Sequence, residues 1–263
     1  MTISLAKAIS CIKEDEKWIS KIIIGGVIGF IIPFVIGLLF GLLGIEEKTL
    51  EYNLITYAIG FIFGGFISGF IFTTMNKTLN STEKFQMVNW SDKNLLLKGI
   101  KAIFAFLVWS FIAIIIFALF TTLTAAIISL ICTLLGQALS LDSTVQKNLI
   151  LLVNTLIGII VGLYFVQFVN NAYACYIKTL KLEDMLAFKK QFRMIKENQH
   201  LNWSLIGKNI LFVLLACLVT SVLIVTIVGI LLLPFVFFAM NIVAYNLITQ
   251  YAKTVEINKY FEN

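Results

Sequence analysis

The side chains that could do chemistry are few. The chain has one histidine, His200, four cysteines and a scatter of amides. His200 stands among lysines with no second His or Cys near it in sequence, so a metal site, which draws on three or four such donors, lacks its ligands. Nucleophilic catalysis of the Ser/His/Asp kind would have only that imidazole to use as a base. No glycine-rich phosphate loop is present. Cys11, Cys132, Cys175 and Cys217 form no C-x-x-C pair and read as small apolar residues of helices. Catalytic residues, metal ligands and cofactors are therefore expected to be none, and the chain is not expected to be an enzyme.

The amides are the remaining polar chemistry. Asn154, Gln167, Asn170 and Asn171 fall in one apolar stretch, and Asn241, Asn246 and Gln250 in another. An amide in hydrocarbon needs a hydrogen-bond partner and so tends to face the inside of a helix bundle. Asn154, Gln167, Asn171, Asn241, Asn246 and Gln250 are expected either to hold helices together or to line a polar cavity for a solute or headgroup.

The elements that must position these residues are set by composition. Hydrophobic residues make up 60% of the 263, charged residues 13%, and the mean hydropathy is +0.97. A water-soluble domain of this length needs more polar surface. A membrane span needs about 20 apolar residues, and the runs that meet this are Ile22–Gly44, Asn53–Met75, about 100–122, Leu149–Ile177, and two within Ile210–Ala252 broken near Gly229 and Pro234. The charge-free run Ala102–Leu141 is too long for one straight span, so 123–139 is expected to be a separate re-entrant or surface element. The predicted fold is all-α, a polytopic transmembrane helix bundle in which 1–263 is a single membrane domain.

Six spans put the N-terminus, 76–101, 178–208 and the C-terminus on one side. That side holds 18 of the 20 basic and 10 of the 14 acidic residues, net +8, against net −2 opposite. Basic residues are retained in the cytoplasm, which predicts N- and C-termini inside and a location in the cell membrane. No charged residue lies in the central part of any span, which argues against a charge relay for ion-coupled transport.

A threefold repeat runs through the chain, with units of about 1–80, 81–180 and 181–263. Trp18, Trp90 and Trp203 precede spans, two of them within Asn-Trp-Ser, and each hairpin ends on Lys-Thr-aliphatic at Lys77, Lys178 and Lys253. All units start from the same side, so the three hairpins are related in parallel. Tryptophan and lysine at these points suit the headgroup zone as interface anchors. Asn171 and Asn246 both precede their Lys-Thr pair by seven residues, where the first repeat has Phe70. Small-residue pairs Gly25/Gly29, Gly37/Gly41, Gly60/Gly64 and Gly65/Gly69 predict close helix packing, or a homo-oligomer face.

Residues 4–17 and 178–197 combine lysines with apolar residues and predict amphipathic cytoplasmic helices lying on anionic lipid or docking a partner protein. Nucleic acid is not expected, because membrane context accounts for the net charge of +6. The dominance of lysine, with one arginine in the chain, and the abundance of Ile, Asn and Phe suggest an AT-rich prokaryotic genome.

Trp18-x-x-Lys21-x-x-x-Gly25-Gly26, a span with Pro33, a glycine-rich second span, Trp90 with Asp92, Leu96-x-x-Gly99-x-Lys101, Pro234 and Ala244-Tyr245 follow one another along the chain. Together they resemble a prokaryotic family of six-helix membrane proteins known as a domain of unknown function. That family is distantly similar to the membrane region accompanying some glycerophosphodiester phosphodiesterases. The resemblance implies a fold and a membrane location, and no activity. Two functions remain open: a binding or scaffolding protein engaging lipid or a partner, and a transporter or permease-like component with a polar cavity between the second and third hairpins.

Overall fold

A computed structural model describes residues 2–43, 49–81, 84–139 and 142–261. Glu46, Glu47 and Lys48, which entered the charge count for the outer side, lie outside the described residues. The regular elements of the described residues are all helices, and six of these helices are long and apolar enough to cross a membrane. Their outward surfaces are covered in exposed Leu, Ile, Val and Phe. Water would penalise such a surface, whereas lipid tails solvate it.

Helix α1 (Leu5–Ser10) is capped by the Ser4 side chain. The span α2 (Trp18–Leu42) follows a short 3₁₀ turn. It widens into one π-helical stretch at Val27–Ile31, just before Pro33, whose missing N–H and ring cannot fit a regular turn there. Helix α3 (Leu50–Asn80) starts from a Thr49 cap, and α4 covers Leu95–Leu139. Then come α5 (Ser143–Thr179), α6 (Leu182–Met185), α7 (Phe188–Glu197), α8 (Gln199–Ile224) and α9 (Ile227–Thr254).

Two sequence expectations are corrected. Residues 123–139 are not a separate re-entrant or surface element, because α4 runs unbroken for 45 residues, about 68 Å. Its Thr121, Thr122 and Thr124 look like a break, but each Oγ1 donates back to a carbonyl four residues earlier at 2.7 Å. No proline interrupts the run. The fifth and sixth spans separate at Val225–Thr226, ahead of Gly229 and Pro234. Thr226 Oγ1 caps the new helix by accepting from Gly229 N at 2.9 Å. A Cβ on Gly229 would collide with the Leu223 carbonyl, so the tight turn needs a glycine in the first turn of α9, and Pro234 also lies inside α9.

The chain forms two compact units. One contains 106–169, the paired distal parts of α4 and α5. Trp109 is buried there against Phe165 and Phe168, with ring centroids 6.3 and 6.1 Å away. Ala113, Phe117, Val161 and Gly162 line an apolar cleft of about 570 Å³ in the same unit.

The other unit, residues 1–105 and 170–263, holds the main core. Phe70, Phe238, Tyr176, Tyr251, Met75 and Leu247 are fully buried in it. Helices α3 and α4 cross through glycines: a Cβ on Gly69 would enter the Leu95 carbonyl, and one on Gly99 the Gly65 carbonyl. Gly25 and Gly26 admit the rings of Phe238 and Phe235, while Gly37, Gly41 and Gly60 face open space. The pairs Gly25/Gly29 and Gly65/Gly69 thus serve packing within the chain.

Candidate functional site

The polar residues of the larger unit gather where its helices begin and end. The N-terminal turn, the loop after α3, the α6–α7 segment and the C-terminal turn all interlock there. Asp15 is the first organising residue. Its carboxylate accepts from Lys17 N at 2.8 Å and Met87 N at 2.7 Å and pairs with Lys21 Nζ at 2.9 Å. Its side chain is 4% exposed. Burial alone would push its pKa up, but the Lys21 ammonium and the two amides prevail and hold it below the ordinary carboxylate value. Glu14 accepts from Phe85 N at 3.0 Å and Thr74 from Val88 N at 3.2 Å, so the extended stretch 85–88 is fixed by side chains. In contrast, burial and the nearby Glu14 carboxylate push the Cys11 thiol up to about 12, so it is not a ready nucleophile.

A second network links four helices and the C-terminal turn in one direction of donation. Tyr251 Oη donates to Asn171 Oδ1 at 2.8 Å, and Asn171 Nδ2 donates to Asn202 Oδ1 at 2.6 Å. Asn202 Nδ2 then reaches the Asn198 carbonyl at 3.0 Å, and Asn198 Nδ2 donates to Tyr260 Oη at 2.8 Å. Tyr260 Oη ends the chain on Glu197 Oε2 at 2.7 Å. Glu197 also receives Arg193 at 2.8 Å, and these two partners hold its exposed carboxyl below the ordinary value. Asn76 Nδ2 caps the end of α5 by donating to the Ile177 and Lys178 carbonyls at 2.7 and 2.9 Å.

The candidate amides of the larger unit fall in separate places. Asn154 and Gln167 belong to the 106–169 unit, where Gln167 is buried and Asn154 Oδ1 meets no hydrogen-bond partner. Asn171 is in the network above. Gln250 Nε2 donates to Asn246 Oδ1 at 2.8 Å, and Gln250 Oε1 accepts from Ser4 N at 2.8 Å. This pair docks α1 on α9 beside a pocket of about 120 Å³ that Lys7, Cys11, Glu14 and Lys253 also line.

Asn241 lies apart from these, on an open groove of about 290 Å³ with Asn170, Asn209, Tyr173 and Tyr245. Its Nδ2 donates within its own helix to the Phe237 carbonyl at 2.8 Å. The rings of Tyr173 and Tyr245 meet edge to face, with centroids 5.4 Å apart. Asn170 is 6% exposed, yet its Nδ2 meets no hydrogen-bond partner. Sequence reasoning noted Asn170 and passed over Asn209, although Asn209 follows Lys208 just inside a span and that adjacency was a usable signal.

The expected anchors take varied positions. Trp18 begins α2 half-buried, Trp203 is exposed on α8, and Trp90 turns inward. The Trp90 ring stacks on buried Phe70 at 4.0 Å and its Nε1 donates to the Lys21 carbonyl at 3.1 Å. Exposed Lys77 donates to Gln86 at 3.2 Å, Lys178 reaches Asn80, and Lys253 is half-buried. A surface cleft of about 360 Å³ gathers Lys17, Lys21 and Lys77 with Asp15, Glu16 and Asp92. Helix α7 turns Gln191, Met194 and Ile195 inward and leaves Phe188 and Phe192 exposed. Among the described residues no group of three or more His, Cys, Asp or Glu could hold a metal ion.

Residues 52–233 match a family described as "Protein of unknown function (DUF4013)". No curated protein and no solved structure matches the chain.

Proposed function

The chain belongs to that family of unknown function, and we propose that it is a non-enzymatic multipass protein of the cell membrane that works by binding lipid or a partner protein. One observation carries this reading. The donor chain from Tyr251 through Asn171, Asn202, Asn198 and Tyr260 to Glu197 uses on one another the amides that a solute path would need as ligands. A site of this kind fixes the ends of helices and presents a rigid face. The lysine distribution supports placing that face, with both termini, in the cytoplasm. There, exposed Phe188 and Phe192 on α7, beside Lys189 and Arg193, would meet the headgroup zone of anionic lipid. Gly37 and Gly41 offer an open small-residue face to a second copy of the chain.

The test is purification in nanodiscs with mass spectrometry of everything retained. Stoichiometric lipid or a recurring protein partner supports the proposal, and a bare chain opposes it. The alternative is a transporter or permease-like component for a small or amphipathic solute, favoured by the amide groove of Asn170, Asn209 and Asn241. Solute flux in proteoliposomes would establish that alternative and displace the first reading.

A further inference from the structure

We infer that the groove between α5, α8 and α9 is a seat for one glycerophospholipid, held by an oxygen acceptor at Asn170 with a chain lying along Phe212, Val213 and Ile248. The inference rests on the lipid-engaging reading and gives it a site.

The groove is amphipathic in the way such a ligand is. Asn170, Asn209, Asn241 and the Tyr173–Tyr245 pair supply amides and hydroxyls, and Phe212, Val213, Ala244 and Ile248 supply apolar wall. Its volume of about 290 Å³ holds a polar backbone and the upper part of a chain, not a whole lipid, and its open side lets the rest remain in the bilayer. Asn170 selects the chemistry. It is 6% exposed, and its Nδ2, a donor, meets no partner within the chain. A buried amide N–H left without an acceptor is costly. An incoming ester carbonyl, glycerol oxygen or phosphate oxygen would supply that acceptor.

Depth agrees with this. Asn170 lies eight residues before Lys178 on α5, about 12 Å along the axis. Asn209 directly follows Lys208 on α8, whose charge holds that level close to the headgroups. The groove therefore opens beneath the headgroups in the leaflet the lysines face, where a phospholipid's oxygens give way to its chains.

The experiment uses the full chain in nanodiscs containing phosphatidylglycerol with a photoactivatable group on the acyl chain near the glycerol. Labelled peptides are read for the wild type, Asn170→Leu, Ala244→Phe and Asn154→Leu. Asn170→Leu removes the donor, Ala244→Phe fills the groove without touching an amide, and Asn154→Leu is an amide control in the other unit. Labelling on 205–250 should fall about fivefold with Asn170→Leu, the worth of one net hydrogen bond, should fall with Ala244→Phe, and should persist with Asn154→Leu. Replacing the diester probe by a diether analogue identifies the oxygen: lost labelling assigns the ester carbonyl, and retained labelling assigns the glycerol or phosphate oxygens. Labelling indifferent to both groove variants would overturn the site while leaving lipid binding elsewhere intact. A wild type that retains no lipid at all would overturn the underlying reading with it. A benzophenone amino acid at Val213 that captures a protein helix in place of lipid would also overturn the assignment.

Discussion

Tyr251 on α9 and Asn171 on α5 are both fully buried and meet through a 2.8 Å hydrogen bond, hydroxyl to amide oxygen. The same Asn171 passes a proton donor on to Asn202 at 2.6 Å. One amide thus joins α5, α8 and α9. Replacing it with leucine removes the acceptor of Tyr251 and the donor to Asn202 Oδ1 among buried side chains. The expected cost is about 1–3 kcal/mol, the range for stranded buried polar groups. Asn246→Leu cuts only the bond to Gln250 and should cost less. Unfolding titrations in mixed micelles would read both variants. Equal stability of the two would show that the network is not what binds the helices.

Asp15 predicts an acid-sensitive cap. Burial opposes its charge, but Lys21 and the amides of Lys17 and Met87 hold its folded pKa below the unfolded value of 3.8. A carboxyl depressed by folding contributes stability that is complete above its unfolded pKa. That contribution is lost as pH falls through the lower, folded value. The melting temperature of the wild type should therefore exceed that of Asp15→Asn by a constant margin above about pH 5. The margin should shrink below about pH 4. Thermal denaturation across pH 3 to 7 measures it. A margin that grows on acidification would contradict the assignment.

The α3–α4 crossing rests on missing side chains. A methyl group at Gly99 would meet the Gly65 carbonyl carbon and the Gly69 nitrogen, both backbone atoms that cannot swing aside. Gly99→Ala should therefore force the helices apart at a cost of about 1–3 kcal/mol, the range for overpacking. Gly37 has nothing within 4 Å of an added Cβ, so Gly37→Ala should be neutral or stabilise by up to about 1 kcal/mol through helix propensity. Thermal shift assays on the two proteins give the comparison directly.

What the sequence revealed depends on the range of each interaction. Hydrophobic runs are local, and they located the six helices of the described residues that are long and apolar enough to span. The first repeat has Phe70 where the other two have amides. In the structure that position is filled by a Trp90–Phe70 stack, an aromatic solution that sequence spacing does not encode. Within the larger unit the amides divided among three places: Asn171 finds Asn202 and Tyr251, 31 and 80 residues away, Gln250 finds Ser4, 246 residues away, and Asn241 bonds within its own helix. Pro234 suggested a break, yet a Thr226 cap decided the boundary. Asp15 was invisible as an organiser, since only folding brings Met87 to it.

The continuity of α4 is the last prediction, and it bears on how the second hairpin sits in the membrane. A re-entrant segment after residue 122 would double back, so that residues on either side of the turn approach each other. An unbroken helix keeps 1.5 Å of rise for every residue. Ser110 and Leu134 both lie on α4, and 24 residues of regular helix separate their Cα atoms by about 36 Å. Spin labels at these two positions, in a background with the native cysteines replaced, should give one distance distribution near that value by double electron–electron resonance. The threonine back-bonds also make a specific demand. Replacing Thr121, Thr122 and Thr124 by alanine removes three hydroxyl donors but leaves the backbone ladder in place and adds good helix formers. The distance should therefore survive the triple substitution. Thr122→Pro, by contrast, deletes an N–H and clashes with the carbonyl of Ala118, which should shorten or broaden the distribution. A wild-type distance well under 30 Å would restore the doubled-back segment and overturn the continuous helix.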